Sequence, residues 1–250
     1  MLTEETINKL HEMRLSVLAN TLREQMNNPA TADLSFEERF GMLVDSEWCA
    51  RQSNRLMKLI RSAGYPIPGA CVENIEYHPD RKLDKNLIAR LATCSYIFES
   101  NNVIILGATG VGKTYLACAL GMAANRSSYL VKYVRLPDLL AELAVAKCDG
   151  TYQKVLKQYV QCKALILDEW LLFPLKEAEA RDILNLLDSR HKTASTIFCS
   201  QFDVAGWHAK LGEPTLADAI CDRIAHNSYT LRADGDSMRK RKGLESTVVK

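Results

Sequence analysis

The stretch Gly107-Ala108-Thr109-Gly110-Val111-Gly112-Lys113-Thr114 fits G-x-x-x-x-G-K-[ST], and residues of those types at that spacing suit the phosphates of a nucleoside triphosphate. The glycines let the backbone turn tightly and bring its N–H groups against phosphate oxygens. Lys113 places a positive charge on the β and γ phosphates, and the Thr114 hydroxyl can ligate Mg²⁺. Tyr115 follows directly and starts the next element, so residues 107–115 form one candidate site for ATP with Mg²⁺.

Asp168-Glu169 is the second signal. The pair follows the apolar run Ala164-Leu165-Ile166-Leu167, which places it at the end of a buried strand, the edge where α/β sheets bind ligands. Asp168 can hold Mg²⁺ through water, and Glu169 can orient the water that attacks the γ phosphate. Ser200-Gln201 follows the next apolar strand; it is either a polar group reaching that water or an ordinary strand-end pair. Arg223 lies too far along the chain to be assigned to the chain's own site. It is either an arginine acting on a neighbouring subunit's phosphates or part of a surface ion pair. Arg239 is a weaker candidate, and Lys240-Arg241-Lys242 after it is either a nucleic-acid contact or a solvated terminus.

These residues need elements to hold them. Val103 to Leu106 reads as the strand entering the phosphate loop, and Tyr115 to Asn125 as the helix leaving it, with its dipole favouring anions. Further strands are expected at Leu130–Arg135, Ala164–Leu167, Thr196–Ser200 and Ser228–Leu231, with helices at Leu83–Ala92, Asp138–Ala146, Glu177–Arg190 and Leu216–Ile224. That alternation predicts an α/β fold, a parallel five-stranded sheet flanked by helices. Residues 2–63 read as helices only, with Leu10, Leu15, Leu18 and Leu22 on one face until Asn27-Asn28-Pro29. Ser35-Phe36-Glu37-Glu38 is a capping box that opens a helix running to Ala63, with Phe36, Phe40, Leu43 and Val44 on one face. Arg51, Arg55, Lys58 and Arg61 share a face of its later part, which suits a phosphate backbone or else a solvated face with partners on another helix. The Pro- and Gly-rich residues 64–79 read as a linker. The expected organisation is a small all-helical domain (1–68), a nucleotide-binding domain (69–243) and a tail (244–250).

Bulk properties exclude little. The 250 residues are 47% hydrophobic and 25% charged with a net charge of +2, so any nucleic-acid signal is local rather than global. No apolar run approaches a membrane span, and Glu4 and Glu5 stand where a signal peptide needs bases, so the expectation is a cytoplasmic protein. The eight cysteines include no C-x-x-C pair and are expected as reduced thiols. Trp48, Trp170 and Trp207 are expected in cores or interfaces, and His208 and His226 as structural residues.

LSFEERFGMLVDSEW (34–48), GATGVGKTYLACALG (107–121), LILDEW (165–170), STIFCSQFDVAGWH (195–208) and PTLADAICDRIAHNSYTLRADGDSMRK (214–240) together resemble the IstB-type helper ATPases of bacterial insertion sequences. That family belongs to the AAA+ group of P-loop NTPases, near the DnaC helicase loaders. The resemblance implies that Lys113 and Thr114 form the first motif, Asp168 and Glu169 the second, and Gln201 the sensor. It makes Arg223 a finger acting across subunits and Arg239 an arginine that senses nucleotide. It also implies that the helical domain binds DNA through Arg51, Arg55, Lys58 and Arg61. Such proteins assemble as homo-oligomers on duplex DNA with ATP, and recruit and stimulate the transposase of the same element. The implied setting is the bacterial cytoplasm, with the protein associated with the nucleoid. The chain departs from the pattern at Asp168-Glu169-Trp170-Leu171, where the family often has two aspartates before Trp-Gly, and at Gln201, where loaders tend to carry asparagine. Within the same chemistry the rival expectation is a helicase loader that prefers single strands; outside it, a non-hydrolysing adaptor gated by ATP.

Overall fold

The computed structural model describes residues 2–31 and 33–245. The chain divides into two compact units, one ending at Lys58 and one beginning at Leu59, ahead of the boundary expected at 68/69.

The first unit holds helices α1 (Leu2–Glu12), α2 (Ser16–Asn27) and most of α3 (Phe36–Ala63). The break between α1 and α2 falls at Arg14, whose φ of +60° ends a helix, rather than only at 27–29 as expected. Few large apolar side chains are buried here (Ile7, Leu43), so polar contacts share the work of holding the helices. Glu47, almost fully buried, accepts from Leu18 N (3.0 Å) and from Arg51 Nε (2.8 Å). The Gln25 amide donates to Arg39 O (3.0 Å). The capping box forms: Ser35 N donates to Glu38 Oε2 (2.8 Å) and Glu38 N to Ser35 Oγ (3.3 Å). The face expected to carry Phe36, Phe40, Leu43 and Val44 is split, with only Leu43 buried.

The second unit is built on five parallel strands: β1 (Asn102–Leu106), β2 (Val131–Arg135), β3 (Ala164–Trp170), β4 (Ser195–Ser200) and β5 (Ser228–Arg232), in the order β2-β3-β4-β1-β5. The alternation of side chains along a strand makes two cores of one sheet. Val103, Ile105, Ile166, Ile197 and Cys199 face α6 (Lys113–Arg126) together with α4 (Lys85–Ala92) and α5 (Ser95–Phe98). Ile104, Leu106, Leu165, Leu167 and Phe198 face the other layer. That layer comprises α7 (Leu136–Cys148), α8 (Tyr152–Gln161), α9 (Glu177–Arg190), α10 (Val204–Leu211) and α11 (Pro214–Ala225). Trp170, Phe198 and Trp207 cluster there, with Trp170 edge-on to both partners at 4.7 and 5.8 Å.

Residues 64–79, expected as a linker, contribute to the first of these cores. Tyr65, Ala70 and Ile75 are buried, and Tyr65 OH donates to Asn125 Oδ1 at 2.7 Å. Helices α8 and α10 were not anticipated. Nor was α12 (Met238–Glu245), which occupies the stretch expected as a basic run entering a tail; residues 246–250 lie outside the described residues.

Candidate functional site

The strand β1 ends at Leu106, and the chain turns through Gly107–Gly112 into α6. A Cβ at Gly107 would stand 2.2 Å from Ala233 O, so only glycine allows the β5 extension to pair there through Ala233 N→Leu106 O (2.8 Å). Gly110 and Gly112 have φ of +88° and +96°, the left-handed region glycine enters without strain. Lys113 Nζ donates to the carbonyls of Gly107 and Ala108, each at 2.8 Å. Burial pulls the Lys113 ammonium below its usual range, an effect Cys199 and Asp168 oppose and the Arg239 charge reinforces.

The acidic pair sits where β3 breaks register with β4. Leu167 pairs with Phe198 and Trp170 with Ser200, so an extra residue on β3 bulges between them. Glu169 takes φ +55° and Leu171 +52°, an uncommon backbone for such side chains. Buried Trp170 fixes the turn from between them. Asp168 Oδ2 accepts from Thr114 Oγ1 (2.7 Å) and from Tyr133 OH (2.9 Å), and its Oδ1 accepts from Glu169 N (2.8 Å). Burial first, then the Asp168 charge, push the Tyr133 phenol well above its usual range, so it remains a donor. The Glu169 carboxylate lies 3.8 Å from the Arg135 guanidinium, which also grips Asp138 at 2.7 and 3.0 Å.

These groups line one cavity of about 590 Å³, with Thr109, Gly110, Gly112, Lys113, Thr114, Tyr115, Asp168, Glu169, Gln201 and Arg239 all on its wall. The loop and acidic pair are thus brought together with Gln201 and Arg239. Ser200 is occupied otherwise: its hydroxyl donates to Trp170 O (3.2 Å) and accepts from Trp207 Nε1 (2.9 Å). Arg223 is not on this wall. It is paired with Asp188 on α9 and donates to Ala219 O at 2.8 Å. Of the basic stripe on α3, Arg51 is engaged by Glu47 and by Arg14 O (3.1 Å). Arg55, Lys58 and Arg61 are exposed and have no carboxylate partner among the described residues.

Sequence reading missed three contributors. Tyr133 and Arg135 stand on β2 beside Asp168, and the register Arg135↔Asp168 puts them at one sheet edge; their signal was the strand itself. Arg81 carried no signal. It lies in a short 3₁₀ turn (Pro79–Arg81), is 3% exposed, and donates through Nη2 to Val111 O (2.9 Å) and through Nη1 to Glu76 O.

Thr114 Oγ1 and Asp168 Oδ2 converge as two oxygens of the hard kind that Mg²⁺ accepts. Among the described residues there is no group of three or more His, Cys, Asp or Glu that could hold a metal ion. Three cations that suit a polyanion, Arg81, Lys113 and Arg239, line the wall together with the carboxylates Glu76, Asp168 and Glu169. All eight cysteines are free thiols. Cys199, on the wall, is held well above its ordinary range by burial and by Asp168, so it is a neutral thiol rather than a nucleophile. No helix among the described residues is long and apolar enough to cross a membrane.

The chain is similar to known proteins over most of its length. The family model of IstB-like ATP binding proteins matches residues 8–246. A Sinorhizobium fredii protein named as an insertion sequence ATP-binding protein is 38% identical over 246 residues, covering 98% of this chain and all of that one. The ATP-binding protein of insertion sequence IS1162 from Pseudomonas fluorescens is 41% identical over 201 residues, 80% of this chain and 87% of its own. Among solved structures, AMPPCP-bound DnaA from Aquifex aeolicus superposes with a TM-score of 0.58 at 17% identity, over 72% of this chain and 55% of that one. The DnaC helicase loader superposes with 0.54 at 21% identity, over 66% of this chain and 97% of its own. At such identities the likeness is one of fold, the AAA+ P-loop core. The chain therefore belongs to the IstB-like family of insertion-sequence ATP-binding proteins, built on a DnaC-like core.

Proposed function

We propose that the protein is a DNA-dependent ATPase that regulates transposition, binding duplex target DNA as a homo-oligomer and recruiting the transposase of its own insertion sequence. The hydrogen bond from Thr114 to Asp168, with Glu169 held next to it on the β3 bulge, is the observation that carries hydrolysis. In that reading the phosphate loop and Lys113 bind the triphosphate, and Thr114 and Asp168 would hold Mg²⁺, which would supply neutralising charge to the phosphates. Glu169 orients the water whose oxygen attacks the γ phosphorus. The bond from γ phosphorus to the bridging oxygen breaks, and ADP and inorganic phosphate leave. Gln201 hydrogen-bonds the water or the γ phosphate, and Arg239 adds positive charge from the same wall. Arg223 would act on a neighbouring subunit's nucleotide, for which it must exchange its Asp188 partner.

Exposed Arg55, Lys58 and Arg61 support the DNA arm of the reading, and the insertion-sequence names of the relatives support the transposase. The working place is then the cytoplasm, on the nucleoid. Glu169→Gln tests the catalysis: ATP binding should persist while turnover falls by about 10²–10³-fold. Unchanged turnover would overturn hydrolysis at this site, and absence of turnover in the wild-type protein with DNA would favour an ATP-gated adaptor. The fold shared with DnaC favours one second reading, a helicase loader. Tighter binding to single strands than to duplex would decide for it.

A further inference from the structure

Arg81 has a buried guanidinium that donates to two backbone carbonyls, and the nearby Glu76 and Asp80 carboxylates only partly offset the desolvation of its charge. A buried cation of this kind is costly unless the site gains from it. The acceptors are informative. Val111 O belongs to the phosphate loop, and Glu76 O to the chain just ahead of the 3₁₀ turn. Arg81's own carbonyl accepts from Asp234 N at 3.0 Å, in the segment that leaves β5.

Its neighbour Asp80 holds the next part of that segment. Asp80 Oδ2 accepts from Asp236 N (3.2 Å) and from the Arg241 guanidinium on α12. A Cβ on Gly235 would fall 2.2 Å from the same carboxylate oxygen, so the segment is folded tightly around Asp80. Met238 N then donates to Gly110 O (2.9 Å), back on the phosphate loop. Between Met238 and Arg241 on this arm stands Arg239, which lines the cavity and lies close enough to Lys113 to affect its ionisation.

We infer that Asp80 and Arg81 are positioning residues of the nucleotide site: Arg81 fixes the shape of the phosphate loop through Val111, and Asp80 fixes the arm that presents Arg239. The two have separable effects because they hold different groups. The loop meets phosphates common to ADP and ATP, whereas Arg239 stands on the wall that carries Lys113 and the acidic pair, where a third phosphate adds charge. The inference rests on the ATP-binding reading of the cavity but not on hydrolysis.

Dissociation constants for ADP and ATP, measured by displacement of a fluorescent ADP analogue from the full chain, test it together with nucleotide-free melting temperatures. Arg81→Lys keeps the charge but replaces the two nitrogens of a rigid fork, one on each carbonyl, by a single nitrogen on a flexible stem. It should weaken ADP and ATP alike by about tenfold or more, since hydrogen bonds from a charged group are among the stronger ones. Asp80→Asn should weaken ATP several-fold with little change for ADP. Asp80→Arg combined with Arg241→Asp should recover much of the loss seen with Asp80→Arg alone. Melting temperatures that fall while both affinities stay at the wild-type value would overturn the inference and leave both residues structural. Equal loss for ADP and ATP in Asp80→Asn would overturn the assignment of the arm. Failure of the wild-type protein to bind either nucleotide would instead remove the ATP-binding reading itself.

Discussion

At the scale of single residues the site is a set of short, directional contacts, and each can be cut separately. The hydrogen bond between Thr114 and Asp168 and the pairing of Glu169 with Arg135 serve different ends. The first prepares two oxygens for an ion, and the second restrains the carboxylate that should meet water. Arg135→Ala should therefore leave the dissociation constant for ATP within about twofold and alter the turnover number, with or without DNA, because it frees Glu169 without touching the loop. A stopped-flow phosphate-release assay beside an equilibrium titration checks the split. Arg190 shows the structural use of the same side chain. Fully buried, it donates to Tyr159 O (2.7 Å), Cys162 O (2.8 Å) and Ser195 O, and Nε donates to Thr196 Oγ1 (3.1 Å), tying the end of α9 to the starts of β3 and β4. Arg190→Ala strips donors from several buried carbonyls and should cost about 3–5 kcal/mol, read as a lower midpoint in urea.

At the scale of elements the decisive features are the β3 bulge and the arm that follows β5. The bulge takes two consecutive carboxylates out of register with β4 and brings both to the cavity, where a regular strand would send alternate residues to opposite faces. A Cβ at Gly107 would meet both Ala233 O and the Val111 side chain so closely that Gly107→Ala should distort the phosphate loop itself or prevent folding. The expected result is loss of nucleotide binding together with a lower melting temperature, measured by calorimetry with and without ADP. The arm also carries a pH dependence. The Arg241 guanidinium, with help from Asp236 N and against some desolvation, holds the Asp80 carboxyl below its usual range. A depressed carboxyl contributes stability that is present above the ordinary aspartate value and is lost as pH falls through the depressed one. Docking of the arm should accordingly weaken only in acid, and limited proteolysis near residues 233–241 between pH 7 and pH 3 follows it. The sequence declared the loop, the acidic pair and the sheet because their signals are local: a spacing pattern, and apolar runs ending in carboxylates. It was silent on the docking of α12 because Asp80 and Arg241 are 161 residues apart in chain order, and on Arg81 because nothing at residue 81 differs from a surface arginine. Residues 64–79 misled for a related reason: proline and glycine mark turns, whether the turns are free or packed, and here Tyr65 and Ile75 bury themselves.

At the scale of the whole molecule a nucleotide unit and a small helical unit share one chain, and the proposed function requires both. The helical unit should make the phosphate contacts. Arg55→Glu with Lys58→Glu should lower duplex affinity and reduce the slope of log affinity against log salt by about 2, leaving ATP affinity unchanged. Arg51 should matter less than its position in the stripe suggests, because Glu47 and Arg14 O already hold it. Filter binding across a salt series checks both statements. The three tryptophans divide between the units in a way that experiments can exploit. Trp48 in the helical unit is 62% exposed, whereas Trp170 and Trp207 are wholly enclosed, Trp170 directly after Glu169. Iodide should therefore quench one emitter, of long wavelength, and leave two of short wavelength bright. Anything that covers Trp48 would shield the first, while occupancy of the cavity would perturb Trp170 on its wall, so one unlabelled sample would yield two independent optical signals.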